Sequence, residues 1–296
     1  MDNQPKSIDT LVQDIYNLFD NPEYSPSEEA TKELGERFAK LFRRRLKYRD
    51  NSKRNFTLSS SGVADRKLWY TINTPENGEK LSAETKIKFL FGDMLEELLL
   101  FLAKEAGHSV EGEQDTVEVA GVKGHRDAII DGRIVDCKSA SSISFKKFQS
   151  NGLRDNDPFG YVSQLGSYLV GSLEDPKLKE KDVMSFLVID KQLGKITLDT
   201  YPKPEVNYEE QIEHKKKVLE RDTPPEEKCY QPVPEGKSGN EKLNVNCSYC
   251  PFKWHCWDGL RAFIYSTGPV YLSKVVSTPK VIEVDKDGNV VQPKEF

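Results

Sequence analysis

Gly124-His125-Arg126-Asp127-Ala128-Ile129-Ile130-Asp131-Gly132-Arg133-Ile134-Val135-Asp136-Cys137-Lys138 is the stretch on which the fold turns. Asp131-Gly132 is a two-residue turn between two apolar runs, so 126–131 and 133–139 read as the antiparallel strands of a hairpin. Asp127 opens the first strand and Asp136 lies near the end of the second, which makes the two acids neighbours across the pair. Side chains alternate along a strand, so Asp136 and Lys138 share one sheet face. Ile134 and Val135 lead into them. A carboxylate and an ammonium at the end of such a strand are costly to bury unless they are paired or hold an ion. A bare Asp-X-Lys is a common tripeptide and reads by itself as a surface ion pair. The Gly-X-X-Asp strand, the hairpin and an amphipathic helix upstream shift the reading toward a site.

That helix starts at Ser82, with Ile87, Leu90, Phe91, Met94, Leu95, Leu98 and Leu102 as its apolar positions, and ends near Gly107. A strand over 109–119 separates it from the hairpin. After the hairpin come a helix over 158–170, an apolar strand over 183–189 and, across Asp190 to Gly194, a second strand over 195–201. The order helix, three strands, helix, strand, strand predicts an α/β core over 81–222. Before it, 1–80 reads as a helical extension. Ser7 and Ser27 cap two helices there, and Arg66-Lys67-Leu68-Trp69-Tyr70 forms a basic-aromatic piece. Behind the core, 205–221 is a polar helix and 223–246 a Pro-, Gly- and Ser-rich loop. The segment 223–296 carries the cysteines and a closing hairpin over 281–291.

Aromatic residues make up 10% of the 296, enough to build a core, so this is not a disordered chain. No apolar run is long enough to span a bilayer, and the first ten residues are polar and acidic, unlike a secretory signal. A cytoplasmic protein is expected. The net charge of −5 excludes a chain that binds nucleic acid by overall charge alone. It hides a basic run, Arg43, Arg44, Arg45, Lys47, Arg49, Lys53 and Arg54, interrupted by Asp50 alone among acids. Such a run is either a phosphate-binding patch or a solvated helix face. Arg43, Arg44, Arg45 and Lys47, with Arg66 and Lys67, are the candidate DNA-backbone contacts.

Hydrolysing a phosphodiester needs an activated water and neutralisation of charge on the phosphate and leaving oxygen. A bound Mg²⁺ supplies both through hard oxygen ligands. Asp127, Asp136 and Lys138 fit that need. Here the sequence meets a family. Gly92-Asp93-Met94-Leu95-Glu96, Gly124-X-X-Asp127, Asp136-Cys137-Lys138 and Gln164-Leu165-Gly166-Ser167-Tyr168 resemble, in order, the motifs of RecB-like PD-(D/E)XK nucleases. The resemblance covers roughly 82–260 and is strongest in the last three motifs. The family's first motif commonly ends in His, where this chain has Glu96; Glu97 is a rival about 100° away round the helix. The resemblance implies a restriction-endonuclease-like core in which Glu96, Asp127, Asp136 and the carbonyl of Cys137 bind Mg²⁺ or Mn²⁺. It implies that Lys138 positions the water, and that Gln164 and Tyr168, on one helix face, orient DNA or Lys138. It favours an exonuclease acting on single strands or DNA ends in recombination, repair or phage DNA metabolism, with a recombination or replication protein as partner. The rivals are a non-catalytic nucleic-acid-binding module and a redox-sensing iron–sulfur protein on the same scaffold.

Four of the five cysteines lie late in the chain. Cys247-X₂-Cys250-X₅-Cys256, with Cys229 upstream, can hold a 4Fe-4S cluster or a tetrahedral Zn²⁺, and the spacing leaves iron and zinc open. His255 is a zinc-ligand rival, and Cys137 reads as a small buried residue. The segment resembles the one that follows the core in AddB-type helicase-nucleases and CRISPR-associated adaptation nucleases, which binds an iron–sulfur cluster. Their fourth cysteine precedes the core. Here Asp65 stands near that place, so the resemblance implies that Cys229 takes the role and that the cluster staples only the C-terminal segment. Tyr249, Trp254 and Trp257 either pack around the cluster or stack on bases.

Overall fold

The computed structural model describes residues 6–47 and 54–291. In chain order the elements are α1 (Leu11–Asp20), α2 (Glu28–Leu46), α3 (Asp65–Asn73), α4 (Ala83–Glu105), β1 (Val110–Glu111), β2 (Thr116–Val119), β3 (Val122–His125), β4 (Ala128–Ile130), β5 (Arg133–Ala140), α5 (Ser142–Gln149), α6 (Tyr161–Gly171), β6 (Val183–Asp190), β7 (Ile196–Pro202), α7 (Tyr208–Leu219), β8 (Val233–Glu235), β9 (Asn240–Lys242), α8 (Val245–Ser248), α9 (Lys253–Cys256), β10 (Arg261–Tyr265), β11 (Gly268–Lys274) and β12 (Ile282–Val284). Ser27 and Ser82 cap α2 and α4 by accepting from Ala30 N and Thr85 N. Ser7 instead caps a short 3₁₀ turn, Ile8–Thr10, that leads into α1. Among the described residues no helix is long and apolar enough to cross a membrane.

The chain forms two compact units. One gathers Met1–Asp50, Phe56–Gly62 and Leu81–Lys216; the other gathers Asn51–Asn55, Val63–Lys80 and Lys217–Phe296. The first 80 residues are thus shared between the two rather than forming an extension of their own.

The first unit is mixed α/β. Its five-stranded sheet has the order β1-β4-β5-β6-β7, with β5 and β6 parallel and every other pair antiparallel. The parallel pair needs a long crossover, which α5 and α6 supply. Alternation along the strands divides the core. Ile129, Ile134, Met184, Phe186 and Val188 meet Phe145, Phe148, Leu165 and Leu169 on one face. Ile130, Val135, Cys137, Leu187 and Ile189 meet Leu99, Leu100, Leu102 and Ala103 of α4, with Leu11 and Ile15 of α1, on the other. Each such leucine stabilises the unit by about 1.5–3 kcal/mol through burial. Only the second half of α4 does this work. Ile87 is 64% exposed and Phe91 44%, although both belong to the helix's predicted apolar stripe.

Three local expectations need correction. The strand expected over 109–119 is two pieces, β1 and β2. β2 turns back through Ala120 and Gly121, both at positive φ, into β3, a strand the sequence reading lacks. α5 is also absent from that reading. Leu58, in what reads as a polar connection, is fully buried against the sheet core.

The second unit carries an antiparallel sheet of order β12-β10-β11-β9-β8. The closing hairpin forms as expected, with Val284 bridging Val290. The remainder of the sheet replaces the expected loop: β8 and β9 lie within 223–246, and β10 and β11 follow the cysteines.

Candidate active site

Asp127 sits one residue before β4. The register Ala128↔Val135 carries forward to set it opposite Asp136 on β5. Asp127 Oδ2 accepts a hydrogen bond from Cys137 N at 2.7 Å. Asp136 is 1% exposed and forms an ion pair with Lys138, yet neither of its carboxylate oxygens receives an aligned hydrogen bond. A buried carboxylate in that state carries a desolvation penalty that an ammonium on one side only partly offsets.

α4 brings Glu96 to the same place. Its Oε1 accepts from Gln114 Nε2 at 2.9 Å. Burial pushes its pKa well up, and the carboxylates of Asp127 and Asp136 push it further. Burial and Asp136 likewise raise Asp127. Glu97, the rival, turns away to Arg37, 3.2 Å from its Nη1. Burial works against the Lys138 ammonium, but Asp136 and Asp127 outweigh it and hold the amine protonated far above neutrality.

α6 forms the other wall. Gln164 Nε2 donates to Tyr168 Oη at 3.3 Å, and Tyr168 is 2% exposed, with burial pushing its pKa up to about 12. Tyr161, at the first position of α6, holds the Lys138 ammonium 5.1 Å from its ring centroid. Sequence reasoning missed Tyr161, although it lies three residues before Gln164 and so on the same helix face. Gly124 faces this wall: a Cβ there would lie 2.7 Å from Tyr168 Cε1 and 2.7 Å from Leu58 Cβ.

The basic run is partly engaged. Arg44 and Arg45 both reach Asp93, with Arg45 Nη2 2.6 Å from its Oδ1. Arg43, Lys47 and Arg54 are exposed; Arg49, Asp50 and Lys53 lie outside the described residues. Arg66 and Lys67 belong to the second unit.

There the four late cysteines are free thiols that act on one another. Burial pushes Cys247 up to about 11, with Cys229, Cys250 and Cys256 adding to the shift. Burial also raises Cys229 and Cys250, against the pull of neighbouring N–H groups and of Lys67. α3 lies on this segment. Arg66 Nε donates to Cys256 Sγ at 3.2 Å, Tyr70 stacks on Phe252 at 5.5 Å, and Glu79 accepts from Trp254 Nε1 at 2.8 Å. Packing thus ties the piece before the core to the cysteine segment without a ligand from α3. Trp254 packs edge-on against Tyr271, and Trp257 lies under the Lys228 ammonium with its buried indole N–H directed at the Cys247 sulfur. Tyr249 is 84% exposed, and His255 is exposed.

No protein-family model and no curated protein matches this chain. Among solved structures, the crystal structure of SSO0001 is similar over 75% of this chain and 93% of that one, at 16% identity and a TM-score of 0.39. A likeness that shallow carries no argument.

Two donor sets therefore rest on geometry alone. Among the described residues no group of three or more His, Cys, Asp or Glu side chains is drawn into a ready-made metal-binding arrangement. The hard oxygens of Glu96, Asp127 and Asp136, one carboxylate of which lacks hydrogen-bond partners, suit a divalent cation such as Mg²⁺ or Mn²⁺. The four thiols, with the Trp257 N–H directed at the Cys247 sulfur, suit a thiolate-bound group.

Proposed function

We propose that this chain is a Mg²⁺- or Mn²⁺-dependent deoxyribonuclease with a PD-(D/E)XK core, acting on single strands or DNA ends. The observation that carries the reading is the buried Asp136 carboxylate, set among Asp127 and Glu96 with the Lys138 ammonium as its one polar partner among the described residues. Asp136, Asp127 and Glu96 hold the cation, with the Cys137 carbonyl as a further oxygen. The bound ion supplies an activated water and charge neutralisation at the phosphate. Lys138, kept cationic, orients that water or a phosphate oxygen. Tyr161 covers the ammonium, and the Gln164–Tyr168 pair fixes the wall facing it. Exposed Arg43 and Lys47 supply salt-sensitive contacts to the backbone of DNA.

The same reading gives the four thiols a 4Fe-4S cluster, held by Cys229, Cys247, Cys250 and Cys256 in a structural role. Zn²⁺ is the competing occupant of the same sulfurs. Iron and sulfide content, with the visible absorption of an anaerobic preparation, decides between them.

Digestion of end-labelled single- and double-stranded DNA with Mg²⁺, Mn²⁺ or EDTA tests the nuclease. Cleavage that needs the metal and disappears in a folded Asp136→Ala protein supports it. Tight binding without cleavage under every metal condition would make the chain a non-catalytic binding module. Activity that follows reversible oxidation of the cluster would make it a redox sensor.

A further inference from the structure

An aromatic column runs from the core of the first unit toward solvent beside the catalytic ammonium. Phe186 meets Phe148 edge-on at 5.8 Å, Phe148 stacks on Tyr161 at 6.4 Å, and Tyr161 stacks on Phe159 at 5.3 Å with 25° between planes. Phe186 is fully buried, whereas Phe159 at the far end is 61% exposed. Among the described residues no ring but Tyr161 stacks on Phe159. A lone exposed phenylalanine is ordinary on a protein surface. This one is held in place. Asp157 accepts from Tyr161 N at 3.0 Å and Val162 N at 2.8 Å, fixing the turn into α6. Gly160, at φ 72°, presses on Gly62 so closely that a Cβ on either would lie within 2.5 Å of the other's backbone. Tyr161 is shared, because the same ring carries Lys138 at 5.1 Å.

We propose that Phe159 is a stacking platform for an unpaired nucleobase next to the scissile phosphate. The proposal rests on the nuclease reading and names its substrate class as single-stranded DNA or a frayed end. A base laid on Phe159 extends the column by one ring and sets its own phosphate toward Lys138. A base in the interior of a duplex already has both faces stacked and cannot take this position. Stacking on a protein ring is tolerant of base identity, so the site selects strandedness and not sequence.

The test measures binding of a single-stranded oligonucleotide, with a fluorescent adenine analogue near its end, and of a covalently closed circular duplex to the full chain, in EDTA and in Ca²⁺. Phe159→Ala should weaken single-strand binding roughly five- to a hundredfold and abolish the quenching of the analogue, while leaving duplex binding unchanged. Phe159→Trp should retain both affinity and quenching. Wild-type affinity and quenching in Phe159→Ala overturn the proposal, as does a wild-type protein that binds single strands no better than duplex. Mg²⁺-dependent cleavage by the wild type, scored in parallel with Asp136→Asn, reports on the nuclease separately. Cleavage can persist while the platform fails, and stacking can persist while cleavage fails.

Discussion

The carboxylates of the first unit and the thiols of the second meet burial in opposite ways. Lost solvation pushes Glu96 and Asp127 in the one, and Cys229, Cys247 and Cys250 in the other, toward their protonated forms. Around Asp136 the compensation stops at one ammonium, that of Lys138. Around the thiols the chain has placed donors: Arg66 on Cys256, backbone N–H groups on Cys229 and Cys250, and Lys67 close by. The first arrangement is short of positive charge and suits a small, exchangeable dication. The second already supplies positive charge and suits a group that is itself anionic once the thiols ionise. Burial alone does not distinguish the two donor sets; what surrounds the donors does.

The largest expected effect breaks the first side of the comparison. Asp136→Ala should lower metal-dependent cleavage by roughly a thousandfold or more, measured as initial rates on labelled DNA. Asp136→Asn removes the main counter-charge of the buried Lys138 ammonium, so it should destabilise the metal-free protein by about 3–5 kcal/mol, read as a lower Tm in EDTA. A higher Tm would mean that repulsion among the carboxylates outweighs the ion pair. On the other side, Cys250→Ser should strip iron and visible colour from the purified protein and destabilise the second unit by several kcal/mol, followed by iron assay and thermal unfolding.

Asp199 sharpens the comparison as a third buried acid, one that accepts hydrogen bonds from Tyr201 and Asn151. Burial still pushes its pKa up to about 6. The folded state then binds this proton more tightly than the unfolded chain, whose ordinary value is near ~4. Its contribution to stability is full below about pH 4 and is lost as pH rises through about 6, by about 1–3 kcal/mol. Asp199→Asn should flatten that part of the stability–pH curve; an unchanged slope would assign it to other groups. The smallest effect is at Arg66. Arg66→Ala should move the cluster's reduction potential negative by tens of millivolts, and Arg66→Lys by less, since a nearby cation favours the more negative, reduced state.

Much of the carboxylate site was legible because a strand has a period of two. Asp131-Gly132 fixes the hairpin, the hairpin sets Asp127 opposite Asp136, and alternation puts Lys138 beside it. Glu96 and Glu97 could not be separated that way. Arg37, a helix away, draws off Glu97 and leaves Glu96 at the site. Tyr161 escaped notice because its neighbour is an ammonium on another element. The second unit was far less legible. β8 and β9 are three residues each, with Pro234 inside β8, and Ser266-Thr267 between β10 and β11 carries no Gly, Pro, Asn or Asp. Their pairing is set by partners distant in sequence. α5, short and Ser-rich at its start, is held by Phe145 and Phe148 in the core rather than by any helical period of its own.

Gly124 has a consequence that reaches past its own position. A methyl group there has to displace both the Tyr168 ring and Leu58, each of them buried. A random screen for dead variants would return residue 124 alongside the acids, though it carries no chemistry of its own. Invariance at that glycine among functioning variants would record the clearance of a neighbouring ring and not a contact with any ligand.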